Sequence, residues 1–198
     1  MRLGILGGTF DPPHVGHLIL AEYACDAVQL DRVLFVPAAD PPHKHRTRVA
    51  VEHRLAMITL AIADRPEFSV SRVDIDRVGP HYTVDMLRLL GTQYSEAELY
   101  FIMGGDSLRD LLKWSRPQEL ITLCRLIVMG RPDAKADPHM HDAVLPGLAE
   151  RVIMTESPML GLSSSAIARR LRSGQSVRYV VPAPVLSYIE TNRLYRDD

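Results

Sequence analysis

The sequence predicts an α/β fold, with a mostly parallel sheet and helices on both of its faces. Short apolar runs typical of buried strands alternate along the chain with longer segments of helical apolar spacing. This alternation is typical of parallel sheets that are covered on both sides. The chain has 198 residues, 46% of them hydrophobic, which suffices for one sizeable core and favours one domain over two.

The predicted elements follow one another in chain order. Strands are expected over residues 3–6, 33–36, 68–73, 99–103, 125–129 and 151–154. Helices are expected over 17–28, 51–63, 83–90, 163–172 and 184–192, and another should follow Asp106, which can cap it. Residues 131–147, rich in Pro, Asp and His, are expected to form a surface loop. The elements together describe a doubly wound, Rossmann-like sheet with a C-terminal helical segment.

Composition narrows the classes of function. The 23 basic and 24 acidic residues give a formal net charge of -1, which creates no global field for nucleic acid or an anionic membrane. No apolar run approaches membrane-spanning length, and the N-terminal run is too short for a signal peptide. Cys25 and Cys124 are expected to be buried thiols, which suits the cytoplasm. The oligomeric state stays open, a homo-oligomer included.

The most informative segment is residues 7–17, Gly-Gly-Thr-Phe-Asp-Pro-Pro-His-Val-Gly-His, which follows the first strand. The two glycines let the backbone turn sharply and approach a ligand. His14 and His17 lie three apart at a helix start, on one face and beside its N–H groups. Gly16 leaves room for a base or a sugar. The pattern indicates a polyphosphate site with imidazole donors; a plain turn and a metal-binding His pair remain open.

Other candidate residues also follow strands, where parallel sheets bind ligands. Residues 41–45, Pro-Pro-His-Lys-His, form a cationic loop after the second strand. Asp106 follows two glycines and could accept from ribose hydroxyls. Trp114, the only tryptophan, could stack on a flat ligand or pack in the core. The serines at 163–165 suit phosphates at a helix start, although simple N-capping also explains them.

Residues 7–17 resemble the His-x-Gly-His signature of the nucleotidyltransferase superfamily, and within it the chain is most similar to the bacterial nicotinate mononucleotide adenylyltransferases. Residues 162–168 resemble the second signature, Ile-Ser-Ser-Thr-x-x-Arg, but its Arg falls on Ala168 and Arg169 comes one position later. The resemblance extends over essentially the whole chain. Residues 1–198 are therefore expected to form a single nucleotidyltransferase domain.

The resemblance implies transfer of the adenylyl group of ATP to nicotinate mononucleotide, which gives nicotinate adenine dinucleotide and pyrophosphate in NAD biosynthesis. Mg²⁺ would be held mainly by the ATP phosphates, with no dedicated metal site in the protein. Alternative acceptors are nicotinamide mononucleotide and phosphopantetheine. Two readings of another class are a non-catalytic nucleotide-binding module and a zinc protein. Zinc ligands would be His14, His17, His43 and His45, or His139 and His141.

The resemblance also implies a role for each site residue. The catalytic residues would be His14, His17 and Lys44. The ATP-binding residues would be Gly8, Thr9, Phe10, Gly16, Gly104, Asp106, Ser163, Ser164, Ser165 and Arg169. The nicotinate mononucleotide site would contain Lys44, His45, Tyr82, Thr83, Asp85 and Trp114. Trp114 would stack on the nicotinate ring.

Overall fold

A six-stranded parallel sheet forms the centre of the molecule. The computed structural model describes residues 1–39, 49–130, 136–158 and 161–196. The strands are β1 (Arg2–Gly8), β2 (Arg32–Pro37), β3 (Phe68–Val70), β4 (Glu98–Gly104), β5 (Arg125–Gly130) and β6 (Val152–Glu156). They lie in the order β3-β2-β1-β4-β5-β6, and every neighbouring pair is parallel. The predicted parallel sheet is confirmed.

Helices connect the strands and cover both faces of the sheet. They are α1 (Val15–Val28), α2 (Val51–Ala61), α3 (Thr83–Gln93), α4 (Gly105–Arg109), α5 (Pro117–Leu123), α6 (Leu148–Arg151), α7 (Ser164–Arg172) and α8 (Ala183–Thr191), together with a 3-10 turn over Leu111–Lys113. Every helix expected from the sequence is present. Helices α5 and α6 were not expected, since both are short. None of the helices in the described residues is long and apolar enough to cross a membrane.

The strands bury side chains on both faces, and alternate residues point to opposite sides. In β4, Tyr100 and Ile102 join the core on one side of the sheet. Leu99, Phe101 and Met103 join the core on the other side. The apolar residues of β4 therefore belong to two cores, one on each face of the sheet. This is why apolar and polar residues do not alternate along the strand.

Two expected boundaries are wrong. The strand expected over 68–73 ends at Val70. Asp106 does not cap the helix that follows β4, because that helix begins one residue after the strand and its N-cap is Gly104. Asp106 lies within the first turn of α4, where its carboxylate pairs with Arg109.

The strand order places a switch point at the centre of the sheet. From β1 the chain builds outward through β2 and β3, and it then returns to add β4, β5 and β6 on the other side of β1. The connections after β1 and β4 leave the same edge and diverge to opposite faces. The crevice between them is where sheets of this type bind ligands.

Candidate active site

A cleft of about 290 Å³ opens at this edge, across the ends of β1, β2 and β4. Five of the residues predicted for the site line it: Gly8, His17, Thr83, Gly104 and Trp114. They come from four separate parts of the chain. The fold therefore brings the first glycine-histidine motif, the β4 glycine and the tryptophan to one place.

Phe10 shapes the turn between β1 and α1. It has a positive φ of 50°, which is unusual for a residue other than glycine, and its side chain is buried. Its ring meets His17 edge-on, with centroids 4.8 Å apart, and also packs on Phe35. A Cβ on Gly8 would lie 3.0 Å from Phe10 Cζ, so any other residue there would have to displace the Phe10 ring by a few tenths of an ångström. The Phe10 side chain therefore supports His17 from the core and does not line the cleft.

The two histidines of the motif are coupled to each other. His14 is the N-cap of α1, and its backbone N–H donates to His17 Nδ1 at 3.1 Å. The rings stack with centroids 3.7 Å apart. Since Nδ1 of His17 accepts, the neutral ring carries its proton on Nε2, the atom that can donate to an oxyanion. The predicted placement of both imidazoles on one face of the helix start is confirmed.

His14 is held in its neutral form. Its side chain is only 6% exposed, and burial lowers its pKa from 6.5 to about 4. Its Nδ1 atom is enclosed and has no hydrogen-bond partner in the part of the chain that the structure describes. A Cβ on Gly16 would lie 3.0 Å from that nitrogen, so Gly16 makes room for the ring. The site thus contains an uncharged imidazole beside the positive end of the α1 dipole.

Arg54 holds the two loops behind the site, and sequence reasoning missed it. It lies in α2, is fully buried, and donates to the carbonyls of Thr9 and Ala38 at 2.8 Å and of Ala39 at 3.3 Å. Burial lowers its pKa, and the charge of Asp11 acts in the opposite sense. A sequence signal existed, because Arg54 shares the apolar helix face of Ile58, four residues on. An arginine on the buried face of a helix needs buried hydrogen-bond acceptors, because an unpaired buried charge is costly.

The C-terminal segment also contacts the motif. The Tyr195 hydroxyl donates to Asp11 Oδ1 at 2.6 Å. Burial and the nearby Asp11 carboxylate both raise the pKa of Tyr195, so the hydroxyl keeps its proton. Asp11 therefore links the motif to the end of the chain and lies near the Arg54 charge.

The N-terminus of α7 lies against the same loop. Ser163 caps the helix by accepting from the Ala166 N–H at 3.2 Å, and Ser164 Oγ donates to the Pro12 carbonyl at 2.9 Å. Ala168, four residues after Ser164, is buried in the core. Ser165 and Arg169 are both exposed and share the next face of the helix. An arginine at 168 would enter the core, whereas Arg169 extends from the face that carries Ser165.

Eleven of the predicted residues that the structure describes are absent from the cleft lining, and three of these have partners outside the motif. The Asp106 side chain is 76% exposed and pairs with Arg109. Asp85 is engaged by Arg88 and Arg116. Tyr82 is exposed, and its carbonyl accepts from Arg77 at 3.3 Å. Thr83 and Trp114 do line the cleft, and Trp114 is held edge-on against Phe101 with centroids 5.9 Å apart.

Asp74 and His81, which sequence reasoning did not assign to the site, line the same cleft. Asp74 is buried and forms an ion pair with Arg77. A signal was available, since Tyr82 and Thr83, which the resemblance assigned to the site, follow His81 directly in the chain.

Comparisons with known proteins identify the family of this chain. Residues 5–170 match the family model described as cytidylyltransferase-like. The chain is 48% identical over 196 residues to a probable nicotinate-nucleotide adenylyltransferase of Thermomicrobium roseum, covering 98% of this chain and 92% of that protein. A protein of the same name from Thermus thermophilus is 45% identical, covering 99% of this chain and all of that one. The chain belongs to the nicotinate-nucleotide adenylyltransferase family. It is therefore a nucleotidyltransferase, as the sequence predicted.

Solved structures confirm the fold of this adenylyltransferase family member. The nicotinic acid mononucleotide adenylyltransferase of Plasmodium falciparum, complexed with NaAD, superposes with a TM-score of 0.79 at 19% identity, over 98% of this chain and 97% of that one. A putative nicotinate-nucleotide adenylyltransferase of Vibrio parahaemolyticus gives a TM-score of 0.70 at 19% identity, over 100% of this chain and 98% of that one. The doubly wound Rossmann-like prediction is thus confirmed.

Two predictions fall partly or wholly outside what the structure describes. Lys44 and His45 lie in residues 40–48, which are not among the described residues, as does the zinc-ligand candidate His43. His139 and His141, the alternative pair of zinc ligands, have other partners. His139 Nδ1 lies 2.7 Å from Asp142 Oδ2, and His141 Nε2 lies 2.9 Å from the Leu108 carbonyl oxygen. Across the described ranges, no group of three or more His, Cys, Asp or Glu side chains is arranged to hold a metal ion.

Proposed function

We propose that this protein transfers the adenylyl group of ATP to the 5′-phosphate of nicotinate mononucleotide, giving nicotinate adenine dinucleotide and pyrophosphate. The observation that carries the proposal is the stacked His14–His17 pair at the start of α1, next to a cleft that Trp114 and Thr83 also line. The names of the full-length relatives point to the same reaction.

In the proposed reaction a phosphate oxygen of the acceptor attacks the α-phosphorus of ATP. The bond from that phosphorus to the bridging oxygen breaks, and pyrophosphate leaves with the electron pair. The nucleophile is already an anion, so no general base is needed, and catalysis depends on positioning and charge stabilisation. His17 Nε2 donates to the α-phosphate oxygens as their charge develops. His14 is neutral because it is buried. It therefore adds a hydrogen bond without bringing a buried positive charge of its own into the site.

The other ATP contacts are proposed for the remaining predicted residues. Gly8 and Gly16 let the backbone approach the nucleotide, Gly104 opens the floor of the cleft, and Thr9 and Phe10 hold the turn. The β- and γ-phosphates face the N-terminus of α7, where Ser163, Ser164 and Ser165 lie and Arg169 extends along the Ser165 face. Asp106 is proposed to accept from the ribose hydroxyls with the carboxylate oxygen that does not pair with Arg109.

The acceptor occupies the other end of the cleft. Trp114 presents its indole face to the nicotinate ring, and Thr83 offers a hydroxyl and a backbone N–H. Lys44 and His45 remain predicted phosphate contacts. Tyr82 remains a predicted contact of the acceptor. Asp85 would first have to leave Arg88 and Arg116, with which it is paired.

A divalent cation, Mg²⁺ in our proposal, enters with ATP. The only acid of the first motif, Asp11, accepts the Tyr195 hydroxyl, which fits an ion held mainly by phosphate oxygens. When bound, the ion offsets negative charge on the phosphates. We also propose a cytoplasmic location, in keeping with the buried free thiols Cys25 and Cys124.

The decisive experiment measures pyrophosphate release from ATP with nicotinate mononucleotide and nicotinamide mononucleotide as parallel acceptors, and with phosphopantetheine as a third. We expect release with the pyridine mononucleotides and a preference for nicotinate. Release only with phosphopantetheine would contradict the proposed substrate. ATP binding without release in any reaction would support a non-catalytic nucleotide-binding module instead.

A further inference from the structure

A second groove, of about 620 Å³, lies at the C-terminal end of α7. We call it the arginine groove, because Arg172, Arg178 and Arg196 are among the side chains that line it. None of its lining residues also lines the cleft. Its volume lies in the range of small-molecule sites, about 300–1,000 Å³. The arginine groove is therefore a separate candidate site for a small molecule.

The arginine groove is cationic. Among the described residues that line it, Glu190 is the only acid. Within the described part of the chain, none of the three guanidinium groups forms a hydrogen bond or an ion pair. By contrast, Arg65, Arg72 and Arg77 each pair with carboxylates. The donors of the arginine groove are therefore available to a ligand, and the planar guanidinium group binds phosphate through two parallel N–H donors.

The less exposed part of the lining is apolar. Five aliphatic side chains form it and are buried or half-buried in the adjoining core: Leu171, Val177, Leu186, Ile189 and Leu194. An inorganic anion gains nothing from such a surface, whereas a nucleoside can pack its base and sugar there. Glu190 offers a carboxylate to ribose hydroxyls, and Gln175 offers an amide to the edge of a base. The lining thus suits both halves of a nucleotide.

Hydrogen bonds hold the walls of the arginine groove in place. Arg170 donates to the Ser176 carbonyl from Nε at 3.2 Å and from Nη2 at 3.0 Å. Next to Arg196 in the chain, the buried Tyr195 donates to Asp11 Oδ1 at 2.6 Å. A site whose walls are fixed before the ligand arrives loses less conformational entropy when the ligand binds.

We propose that the arginine groove is a second nucleotide site, with the phosphates on the arginines and the nucleoside on the apolar lining. A nucleoside triphosphate concentrates several negative charges on one short group, so three neighbouring guanidinium groups can act on it together. The carboxylates of an acidic peptide are spaced farther apart and match this arrangement less well. Binding in the groove does not depend on the proposed adenylyl transfer in the cleft.

The test compares the wild-type protein with the double variant Arg172→Gln/Arg178→Gln by titration calorimetry at low salt. ATP, inorganic tripolyphosphate and adenosine are titrated separately. We expect the wild-type protein to bind one more equivalent of ATP than the double variant, whose groove should bind ATP about tenfold or more weakly. Tripolyphosphate and adenosine should each bind the groove more weakly than ATP. Binding in the groove should also weaken as salt is added, because exposed charges are screened.

The matched control is Arg125→Gln/Arg151→Gln, which removes the same charge from outside both linings. Loss of one ATP equivalent in this control as well would assign the effect to net charge and overturn the proposal. Equal ATP stoichiometry in the wild-type protein and the Arg172→Gln/Arg178→Gln variant would overturn it too.

Two further outcomes concern the ligand. Tripolyphosphate binding as tightly as ATP would contradict a nucleotide site, as would a glutamate-rich peptide that binds the groove when ATP does not. If the wild-type protein turned over no acceptor, the proposed function would fail. The difference of one ATP equivalent between the two proteins would still decide whether the arginine groove binds a nucleotide.

Discussion

The hydroxyl of Tyr195, three residues from the end of the chain, donates to Asp11 Oδ1 at 2.6 Å. Asp11 stands in the middle of the motif that carries His14 and His17. The C-terminal turn thus supports the first functional loop, and Tyr195 makes this contact from a buried position.

We expect Tyr195→Phe to lower the free energy of unfolding by about 1–3 kcal/mol, because Asp11 loses a buried donor. We also expect kcat to fall, since Asp11 then holds the histidine turn less firmly. Urea unfolding and pyrophosphate release measure the two effects. Tyr188→Phe removes a hydroxyl that contacts His53 and serves as the control. A stability loss with unchanged kcat would show that Asp11 does not position the histidines.

We expect Arg54→Met to cost about 3 kcal/mol or more, because it leaves the carbonyls of Thr9, Ala38 and Ala39 without their buried donor. Arg54→Lys, which keeps the charge but reaches fewer carbonyls, should be intermediate. Arg65→Met is the matched control, because Arg65 forms partly exposed ion pairs with Glu22 and Glu67 and lies over the Phe68 ring, so its loss should cost much less than that of Arg54. Equal losses for Arg54 and Arg65 in denaturant unfolding would contradict the proposed role of Arg54.

We expect His17→Ala to lower kcat by about 10²- to 10³-fold, because the transition state loses a positioned donor. The free energy of unfolding should change by about 1 kcal/mol or less, since His17 is only partly buried. His17→Gln, with an amide near the Nε2 position, should recover part of the activity. His139→Ala, in the exposed segment after β5, should retain full activity. Near-wild-type turnover by His17→Ala would refute the mechanism.

The buried His14 predicts a pH dependence of stability. Its pKa is about 4 in the folded protein and close to 6.5 when the chain is unfolded. Between these values the unfolded chain binds a proton that the folded protein does not, so the free energy of unfolding falls as pH decreases. The loss begins below about pH 6.5, continues to about pH 4, and totals about 3 kcal/mol.

The measurement is denaturant unfolding without substrates across that pH window. His14→Asn, which cannot take up the proton, should show a shallower decline than the wild-type protein. Parallel curves for the two proteins would mean that His14 remains able to bind a proton in the folded state.

Local patterns in the sequence predicted the features that depend on residues close together in the chain. The three-residue spacing of His14 and His17 fixes their common face wherever the helix begins, and the structure confirms it. Ser163 at a helix start predicted its own capping bond. The order of apolar runs predicted a parallel sheet, which the structure confirms, and a parallel sheet in turn predicts a ligand site at the ends of its strands. Asp106 shows the limit, because a shift of one residue in the helix start changed its role.

Tertiary structure decided the contacts between residues far apart in the chain. Asp11 and Tyr195 are separated by 184 positions, and Arg54 reaches a carbonyl 45 positions away. Neither contact can be predicted from the neighbouring sequence, because each depends on how distant segments pack against one another. Asp85 and Asp106 were expected at the site from the family resemblance, but nearby arginines engage both. The sequence alone therefore determined the fold class and the histidine motif, since these depend on local spacing, whereas burial and long-range pairing decided which side chains support that motif.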